Sequence, residues 1–350
     1  MRYAFRTATH RLRTPFRVAY GTSDTRTTVY AFLGDGTGEG ALVPYYPYRL
    51  DDLTAYLARV DGTTFGDEGV FDLDAALDLI PEGPAPARCA LDVALYDHAG
   101  KQAGQPLWKL WGLDAGATPP SSFTLSIPSS EAELREAVTA AGHLPVLKLK
   151  VGTGDAEADV RLVALARSLT PARIGVDANS AWTVDEASRA IPKLADLGVL
   201  YVEQPLSWKD PDGHAAWHRL RERLPAGMPP LLADESVQHL DDVAALAGGA
   251  DGVNVKLTKT GGLRGARAMI EAARRHGMQV LVGCMIESAV GVSAASHLAP
   301  LADFVDLDGA VLLADPVVTG GLVWDDGRLH LPDTPGIGMF TWHEVSSPPA

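Results

Sequence analysis

The segments Val146-Leu-Lys-Leu-Lys-Val151, Val160-Arg-Leu-Val-Ala-Leu-Ala166 and Arg173-Ile-Gly-Val-Asp-Ala-Asn179 decide the fold. The outer two are short, largely apolar and bounded by turn residues, as buried strands are. The middle one carries Val160, Leu162, Val163, Leu165 and Ala166 at the spacing of an amphipathic helix. Strand, helix, strand in that order is a βα repeat, whose strands run parallel. The rhythm extends both ways. Phe123–Ile127 precedes it, and Val199–Gln204, Leu231–Glu235, Gly252–Lys259, Gln279–Met285 and Phe304–Leu307 follow, with helical patterns between. Eight such strands over roughly 190 residues predict an α/β chain with a closed, TIM-like modified (β/α)8 barrel of (β/α)7β type. No glycine-rich dinucleotide fingerprint follows the first strand, which argues against an open doubly wound sheet.

The chain before this region reads differently. Arg2–Thr9 and Thr27–Leu33 alternate as strands, Gly34-Asp-Gly-Thr-Gly38 is a hairpin signal, and a long helical pattern runs from Pro86 to Gln102. The rhythm changes at Thr118-Pro-Pro. Three parts are expected: an N-terminal α+β domain over 1–118, the barrel over 119–314, and a Gly- and Pro-rich segment over 315–350 that returns to the first domain.

Composition narrows the function. The chain has 350 residues, 46% hydrophobic and 21% charged, with a formal charge of −14. Such acidity excludes the basic footprint that nucleic acid or an anionic membrane requires. Cys89 and Cys284 are the only cysteines, too few for a disulfide framework or thiolate metal cluster. With no signal-peptide pattern and no apolar run near the ~18 residues of a membrane span, a cytoplasmic protein is expected. The sequence permits a homo-oligomer but assigns no interface.

In a barrel, chemistry sits at the C-terminal ends of the strands. Those ends carry Lys148 and Lys150, Asp177 and Asn179, Glu203, Asp234 and Glu235, Lys256, and Asp306 and Asp308. Asp177, Glu203 and Asp234 come from three consecutive strands. Carboxylates so crowded repel one another unless a cation lies between them, and hard oxygen donors without His or Cys favour Mg²⁺. The second and sixth strands are opposed across an eight-stranded ring, so Lys150 and Lys256 face each other. A lysine beside a cation and other lysines is expected to lose pKa and act as a base. Asp306 and Asp308 lie across from the metal arc and attract a positive group. Together these groups describe a substrate with a carboxylate on the metal, an α-carbon between two lysines, and an ammonium on the acidic pair. An extended dipeptide has that reach at ~3.3–3.6 Å per residue. Two bases on opposite faces of one carbon can invert it.

At these residues the chain resembles the enolase superfamily, and within it the muconate-lactonizing-enzyme subgroup. The matching motifs are Leu147-Lys-Leu-Lys-Val-Gly, Val176-Asp-Ala-Asn, Val202-Glu-Gln-Pro, Ala233-Asp-Glu-Ser and Val253-Asn-Val-Lys-Leu-Thr-Lys-Thr-Gly-Gly. The helix from Ala90 to Leu107 is similar to the capping domain of that family. Gly283-Cys-Met-Ile-Glu-Ser and Asp306-Leu-Asp308 resemble its dipeptide-epimerase branch. The resemblance implies Asp177, Glu203 and Asp234 as Mg²⁺ ligands, with Asn179 and Glu235 behind them. It implies Lys150 and Lys256 as the acid/base pair of a 1,1-proton transfer, Lys148 as a stabiliser of the enediolate, and Asp306 and Asp308 as the ammonium site. Thr124 and Met285 are added as candidate substrate contacts.

Other activities on the same scaffold stay open: N-acylamino-acid racemase, o-succinylbenzoate synthase and cycloisomerase, or a non-catalytic metal-binding barrel. The absence of a His at the end of the seventh strand speaks against enzymes that use one there as base. Members specific for Ala-Glu carry a capping-loop Arg, where this chain has Gly21. Arg17 or Arg26 is an alternative carrier of that role, but the leading expectation for both is a solvated loop charge. Tyr45, Tyr46 and Tyr48 are candidates for an apolar side-chain pocket or for interdomain packing.

Overall fold

The computed structural model describes residues 1–66 and 71–343. It opens with an antiparallel sheet in the order β1 (Tyr3–Val18), β2 (Gly21–Leu33), β3 (Gly36–Leu42). The first strand is longer than its alternation suggested. Its pairing with β2 shifts register between Arg11 and Phe16, and that irregularity lets it continue to Val18. Four helices follow: α1 (Leu50–Leu57), α2 (Leu73–Asp78), α3 (Ala85–Gln102) and α4 (Leu107–Leu110). Of the glycines read as a turn signal, only Gly34 lies in the turn. Gly36, Gly38 and Gly40 belong to β3, and a Cβ on each would lie 2.0, 2.0 and 1.8 Å from the carbonyl oxygens of Ala94, Ala90 and Pro86. A period-2 row of glycines thus meets the four-residue period of α3, and the helix backbone rests on the strand. Leu91 and Leu95 of α3 are fully buried, each contributing roughly 1.5–3 kcal/mol.

The barrel strands are β4 (Phe123–Leu125), β5 (Val146–Lys150), β6 (Arg173–Asp177), β7 (Val202–Glu203), β8 (Leu231–Ala233), β9 (Gly252–Val255), β10 (Gln279–Gly283) and β11 (Phe304–Asp306). They pair in sequence order, all parallel. A parallel bridge from Ser121 to Val305 joins the first strand to the last and nearly closes the ring. The connecting helices are α5 (Glu131–Ala141), α6 (Ala156–Leu169), α7 (Val184–Asp196), α8 (Ala215–Arg223), α9 (Leu240–Leu246), α10 (Leu257–Thr260), α11 (Leu263–Arg275) and α12 (Ala289–Ser296). Their starts are legible in sequence. Ser130 and Asp155 accept N-cap bonds for α5 and α6, and Thr183 with Glu186 forms a capping box on α7. The architecture is therefore the expected modified TIM-like barrel with an α+β cap. Strands end earlier than expected: the run Gly252–Lys259 stops at Val255, and Leu257–Thr260 is a helical turn.

The chain after Asp315 forms β12 (Val318–Gly320), β13 (Val323–Asp325), β14 (Arg328–His330) and β15 (Phe340–Trp342). β12 pairs with β15 and β13 with β14. Trp342 packs edge-on against Tyr30 and Phe32, with the guanidinium of Arg6 3.5 Å from its ring centroid. Trp342 thus reaches the cap, whereas Trp324 of β13 packs against Phe123 of the barrel. Two acids of the cap plug barrel helices. Glu39 of β3 accepts from Ser288 and Gly291 at the start of α12, and Asp92 of α3 accepts from Leu263 and Arg264 at the start of α11. Bonds from a helix N-terminus to a carboxylate are charge-assisted and favoured by the helix dipole. They seat the cap over the barrel mouth. Among the described residues no helix is long and apolar enough to cross a membrane.

Candidate active site

Lys148 and Lys150 share one face of β5, two residues apart, and both point into the mouth. Asp177 and Glu203 are the last residues of β6 and β7, paired in register. Asp234 and Glu235 lie just past the end of β8, which frees Glu235 from strand alternation and lets both turn inward. Lys256 follows β9, Asp306 ends β11 and Asp308 lies beyond it. Every one of these side chains is buried. Gln204 locks two strand ends together, its Oε1 accepting from the backbone N–H of Asp234 at 2.8 Å and of Ser236 at 3.1 Å.

The charges interlock. Lys150 Nζ donates to Asp177 Oδ2 at 2.5 Å and Lys256 Nζ to Asp234 Oδ2 at 2.7 Å. Strands β5 and β9 are the second and sixth of the ring, so these pairs stand on opposite walls, as expected. Lys148 crosses the centre, with its Nζ 2.7 Å from both Glu203 Oε2 and Asp306 Oδ2 and 3.5 Å from Asp177 Oδ2. Asn179 Nδ2 reaches Asp177 Oδ2 at 3.4 Å and Glu235 Oε1 at 3.5 Å, which places both behind the carboxylate arc.

Asp306 and Asp308 are unlike. Asp306 is bound by Lys148 and accepts from Ser122 Oγ at 2.5 Å. Burial would raise its pKa, but the Lys148 ammonium outweighs that and holds it below the usual range. Asp308 accepts from the backbone N–H of Thr124 at 2.6 Å, and among the described residues no cation pairs with it. Burial, then the charge of Asp306, pushes it up to about 7. The acidic pair therefore has one ion-paired member and one without a cation partner among the described residues.

The lysines depart from expectation in one respect. Burial lowers the pKa of Lys148 and Lys256, but Asp306 and Glu203 for the first, and Asp234 and Glu203 for the second, raise it further still. Their nearest neighbours are carboxylates, so the expected lowering is reversed. Lys259 carries a lowered pKa through burial. It was passed over in the sequence. One helical turn after Lys256, it donates to Asp234 Oδ1 at 2.6 Å and to the Asn254 carbonyl at 2.9 Å. Asn254 was also missed, although strand alternation puts it on the face of Lys256; its Nδ2 donates to Glu203 Oε1 at 2.7 Å.

Does this donor set suit Mg²⁺? Among the described residues no three acidic or imidazole side chains close to metal-holding distance, because lysine ammoniums lie between them. The chemistry nevertheless fits. Asp177, Glu203 and Asp234 are fully buried on adjacent strands, all hard oxygen donors. Glu203 Oε2 is ion-paired with Lys148 but lacks hydrogen-bond geometry, and the neighbouring Asn179 Oδ1 and Glu235 Oε2 make no hydrogen bond. Burial first, and then the charge of Asp177, raises Glu203 to about 7. Crowded buried acids, with one oxygen of Glu203 and one of Glu235 lacking a hydrogen bond, are what a small hard cation resolves.

The cavity above the lysines is lined by Thr124, Met285, Asp306 and Asp308 on the barrel side, and by Phe16, Arg26 and Tyr45 from the cap. Both added candidates, Thr124 and Met285, thus face the site. Tyr45 stacks on Tyr20 with centroids 4.6 Å apart, and Tyr20 donates to Ser180 Oγ at 2.6 Å, tying cap to barrel. Tyr46 packs against Tyr45 and Trp208, and Tyr48 is half-buried against the apolar cluster around Tyr46. Of the three tyrosines, Tyr45 alone lines the cavity. Arg17 is ion-paired with Glu133 on α5, outside the cavity, whereas Arg26 is only 9% exposed and lines it. The expectation that Arg26 is a solvated loop charge is overturned. The signal was available, since Arg26 continues the alternation of Thr28 and Tyr30, both fully buried.

Comparison with known proteins agrees with the architecture. Residues 1–112 match the mandelate racemase / muconate lactonizing enzyme N-terminal domain, and residues 130–343 the enolase C-terminal domain-like family. An L-Ala-D/L-Glu epimerase of Bacteroides thetaiotaomicron is 36% identical over 87% of this chain and 78% of its own length. A hydrophobic dipeptide epimerase of Roseobacter litoralis is 32% identical over 98% of this chain and its full length. A dipeptide epimerase of Methylococcus capsulatus, solved with Mg and the dipeptide L-Arg-D-Lys, superposes with a TM-score of 0.83 at 30% identity, covering 96% of this chain and 98% of that one. The chain is a member of the mandelate racemase / muconate lactonizing enzyme family, within the enolase superfamily.

Proposed function

We propose that this protein is a Mg²⁺-dependent dipeptide epimerase that inverts the α-carbon of the C-terminal residue. One observation carries the reading: Lys150 and Lys256 face the same cavity from opposed strands, and Asp308, without a cation of its own, lines it too. The names of the relatives support the dipeptide and the metal. Asp177, Glu203 and Asp234 would hold Mg²⁺ beside the substrate carboxylate. When bound, the metal supplies positive charge where negative charge develops as the α-proton leaves.

The chain's own residues do the rest. Asp308, with Asp306 beside it, takes the substrate ammonium and fixes the register of the dipeptide, so that its α-carbon lies between the lysines. One lysine, as the free amine, removes the α-proton from its face, and the other, as the ammonium, returns a proton to the opposite face. The reverse reaction exchanges their roles. Lys148 and Lys259 hold positive charge against the carboxylate arc and keep its acids ionised. The cap excludes water from the proton path. Racemases of N-acylated amino acids and lyases of the same family act on substrates without an ammonium, and the unpaired Asp308 favours the dipeptide over these. The two free cysteines suit a reducing compartment and so support a cytoplasmic location.

The test is incubation with Mg²⁺ and a panel of dipeptides in D₂O, with mass spectrometry and ¹H NMR following the α-position. Deuterium should enter at the C-terminal α-carbon of at least one dipeptide, together with its epimer. Absence of exchange from every dipeptide, with exchange in an N-acylamino acid, would transfer the function to the racemase alternative.

A further inference from the structure

Asp159 is a buried acid that the proton transfer does not use. It lies near the start of α6 at 1% exposure, and its hydrogen bonds come from neutral donors. Oδ1 accepts from the backbone N–H of Thr153 at 3.0 Å and from its hydroxyl at 2.8 Å. Oδ2 accepts from the indole N–H of Trp182 at 2.8 Å. Starting α6 does not require it, since Asp155 is already the N-cap and accepts from Glu157. What the carboxylate does is join two loops. Thr153 belongs to the loop that leaves β5 after Lys150, and Trp182 to the loop that leaves β6 after Asp177.

Those loops follow one of the two lysines and its partner. Lys150 and Asp177 pair in the β5–β6 register, and the N–H of Val151 donates to the Asp177 carbonyl at 2.9 Å. Lys150 Nζ donates to Asp177 Oδ2 at 2.5 Å. Beyond the strands the two backbones stay in contact. A Cβ on Gly152 would lie 2.8 Å from the Ala178 carbonyl oxygen and 2.9 Å from Ala19 of the cap. The second loop is strained. Asn179 and Ser180 stand at φ 43° and 66°, in the left-handed region that residues with side chains adopt at a cost. Asn179 is held there while its own N–H donates to Asp177 Oδ1 at 2.8 Å. Such strain persists only where the surroundings fix it from several sides. Backbone bonds from Ser180 to Gln204 and from Trp182 to Pro205 fix it from the end of β7, and the indole bond to Asp159 fixes it from α6. Of these three anchors, Asp159 also grips the loop of Lys150.

We propose that Asp159 is a positioning residue for Lys150. By tying the loop after β5 to the strained loop after β6, it fixes the lysine against Asp177 and aims its Nζ at one face of the substrate α-carbon. The inference rests on the dipeptide reading above and deepens it, because it gives a supporting group to one base and not to the other. Lys256 follows β9, on the far wall of the ring, and is outside the reach of this joint. Breaking the joint should therefore be felt on one face of the carbon. Trp182→Phe removes only the indole donor, and Asp159→Asn has an amide that can accept from one loop but not from both. Each Mg²⁺-loaded variant is incubated in D₂O with the two epimers of a dipeptide separately, and ¹H NMR follows the initial loss of the α-proton. Loss should slow about 10- to 100-fold for the epimer whose exchange disappears in Lys150→Met, the penalty of a small misplacement of a reacting group. For the other epimer it should change by no more than about threefold. The double variant should be no slower than the slower single one, since both changes sever the same tie. A joint that only stabilises the fold would lower Tm and slow both epimers alike. Equal slowing of both epimers, slowing of neither, or additive losses in the double variant overturns the inference and leaves the epimerase standing. Either single variant decides alone if the other does not fold. Absence of exchange by the wild-type protein with every dipeptide removes the epimerase reading and this inference together.

Discussion

Two sets of buried acids divide the molecule, and they differ in what satisfies them. At the barrel mouth Asp177, Asp234 and Asp306 bind ammonium groups. At the seam between cap and barrel Glu39 and Asp92 bind backbone N–H groups at helix starts. All are equally buried, at 5% exposure or less. Burial of a carboxylate therefore does not mark a catalytic site. Acids of the seam have fixed neutral donors, and among the described residues no lysine pairs with them, so they hold parts together. Acids of the mouth share mobile cations and border a cavity, so charge can be exchanged with a substrate. The contrast predicts that changes at the mouth damage turnover and changes at the seam damage stability.

The largest effect is expected from Lys150→Met and Lys256→Met. Each should lower the inversion rate about 10³- to 10⁴-fold, the full worth of a positioned acid/base group. In D₂O each variant should still exchange the α-proton of one epimer, a different one for each, because the surviving lysine faces only one side of the carbon. Inversion at near wild-type rate in either variant would break the assignment of two opposed bases. Next comes Asp308→Asn, where KM for a free dipeptide should rise roughly 30- to 100-fold, about 2–3 kcal/mol, as a charge-assisted contact to the ammonium is lost. A smaller rise for an N-acetylated dipeptide sharpens the result. An equal rise for both would move the ammonium elsewhere.

At the seam Glu39→Ala should leave KM within about twofold and lower stability by roughly 2–3 kcal/mol. The Ser288 hydroxyl and the N–H groups of Ser288 and Gly291 lose their acceptor inside the protein. Chemical denaturation of the variant, alongside its kinetics, separates the two outcomes. A variant with unchanged stability and much reduced turnover would place Glu39 with the mouth acids and dissolve the distinction.

How much of this was legible in sequence follows the same division. The barrel was readable because each βα unit repeats a local signal, and the lysines and acids were readable because strand alternation assigns them a face. Legibility failed where a side chain acts away from its strand's regular run. Lys259 comes from a helical turn that was read as strand, and Asn254 was passed over beside its more conspicuous neighbour Lys256. The tie of Lys148 to Asp306 joins residues 158 positions apart in the chain, and no local pattern encodes it. Arg26 is buried despite its charge, and only its alternation with Thr28 and Tyr30 marks it so. The seam acids were invisible for a stronger reason: Glu39 meets α12 some 250 residues later, and nothing in either segment names the other.

The seam also carries a pH dependence. Burial raises Asp92 to about 7, against an ordinary value of 3.8, although the N–H groups of Leu263 and Arg264 pull the other way. Between those two values the unfolded chain has lost the proton while the folded chain keeps it, so the folded state binds more protons and stability falls as pH rises. Below about pH 4 the group is protonated in both states and stability from this source is at its maximum; above about pH 7 the loss is complete. Asp92→Asn cannot ionise, and its carbonyl oxygen can still accept from Leu263. Its Tm should therefore fall less than that of the wild-type protein between pH 4 and pH 7, the full shift corresponding to roughly 4 kcal/mol. Thermal denaturation of both proteins across that range reads it directly. Parallel Tm curves would show that Asp92 ionises normally within the fold, and that helix N–H groups match lysines in holding a buried acid charged.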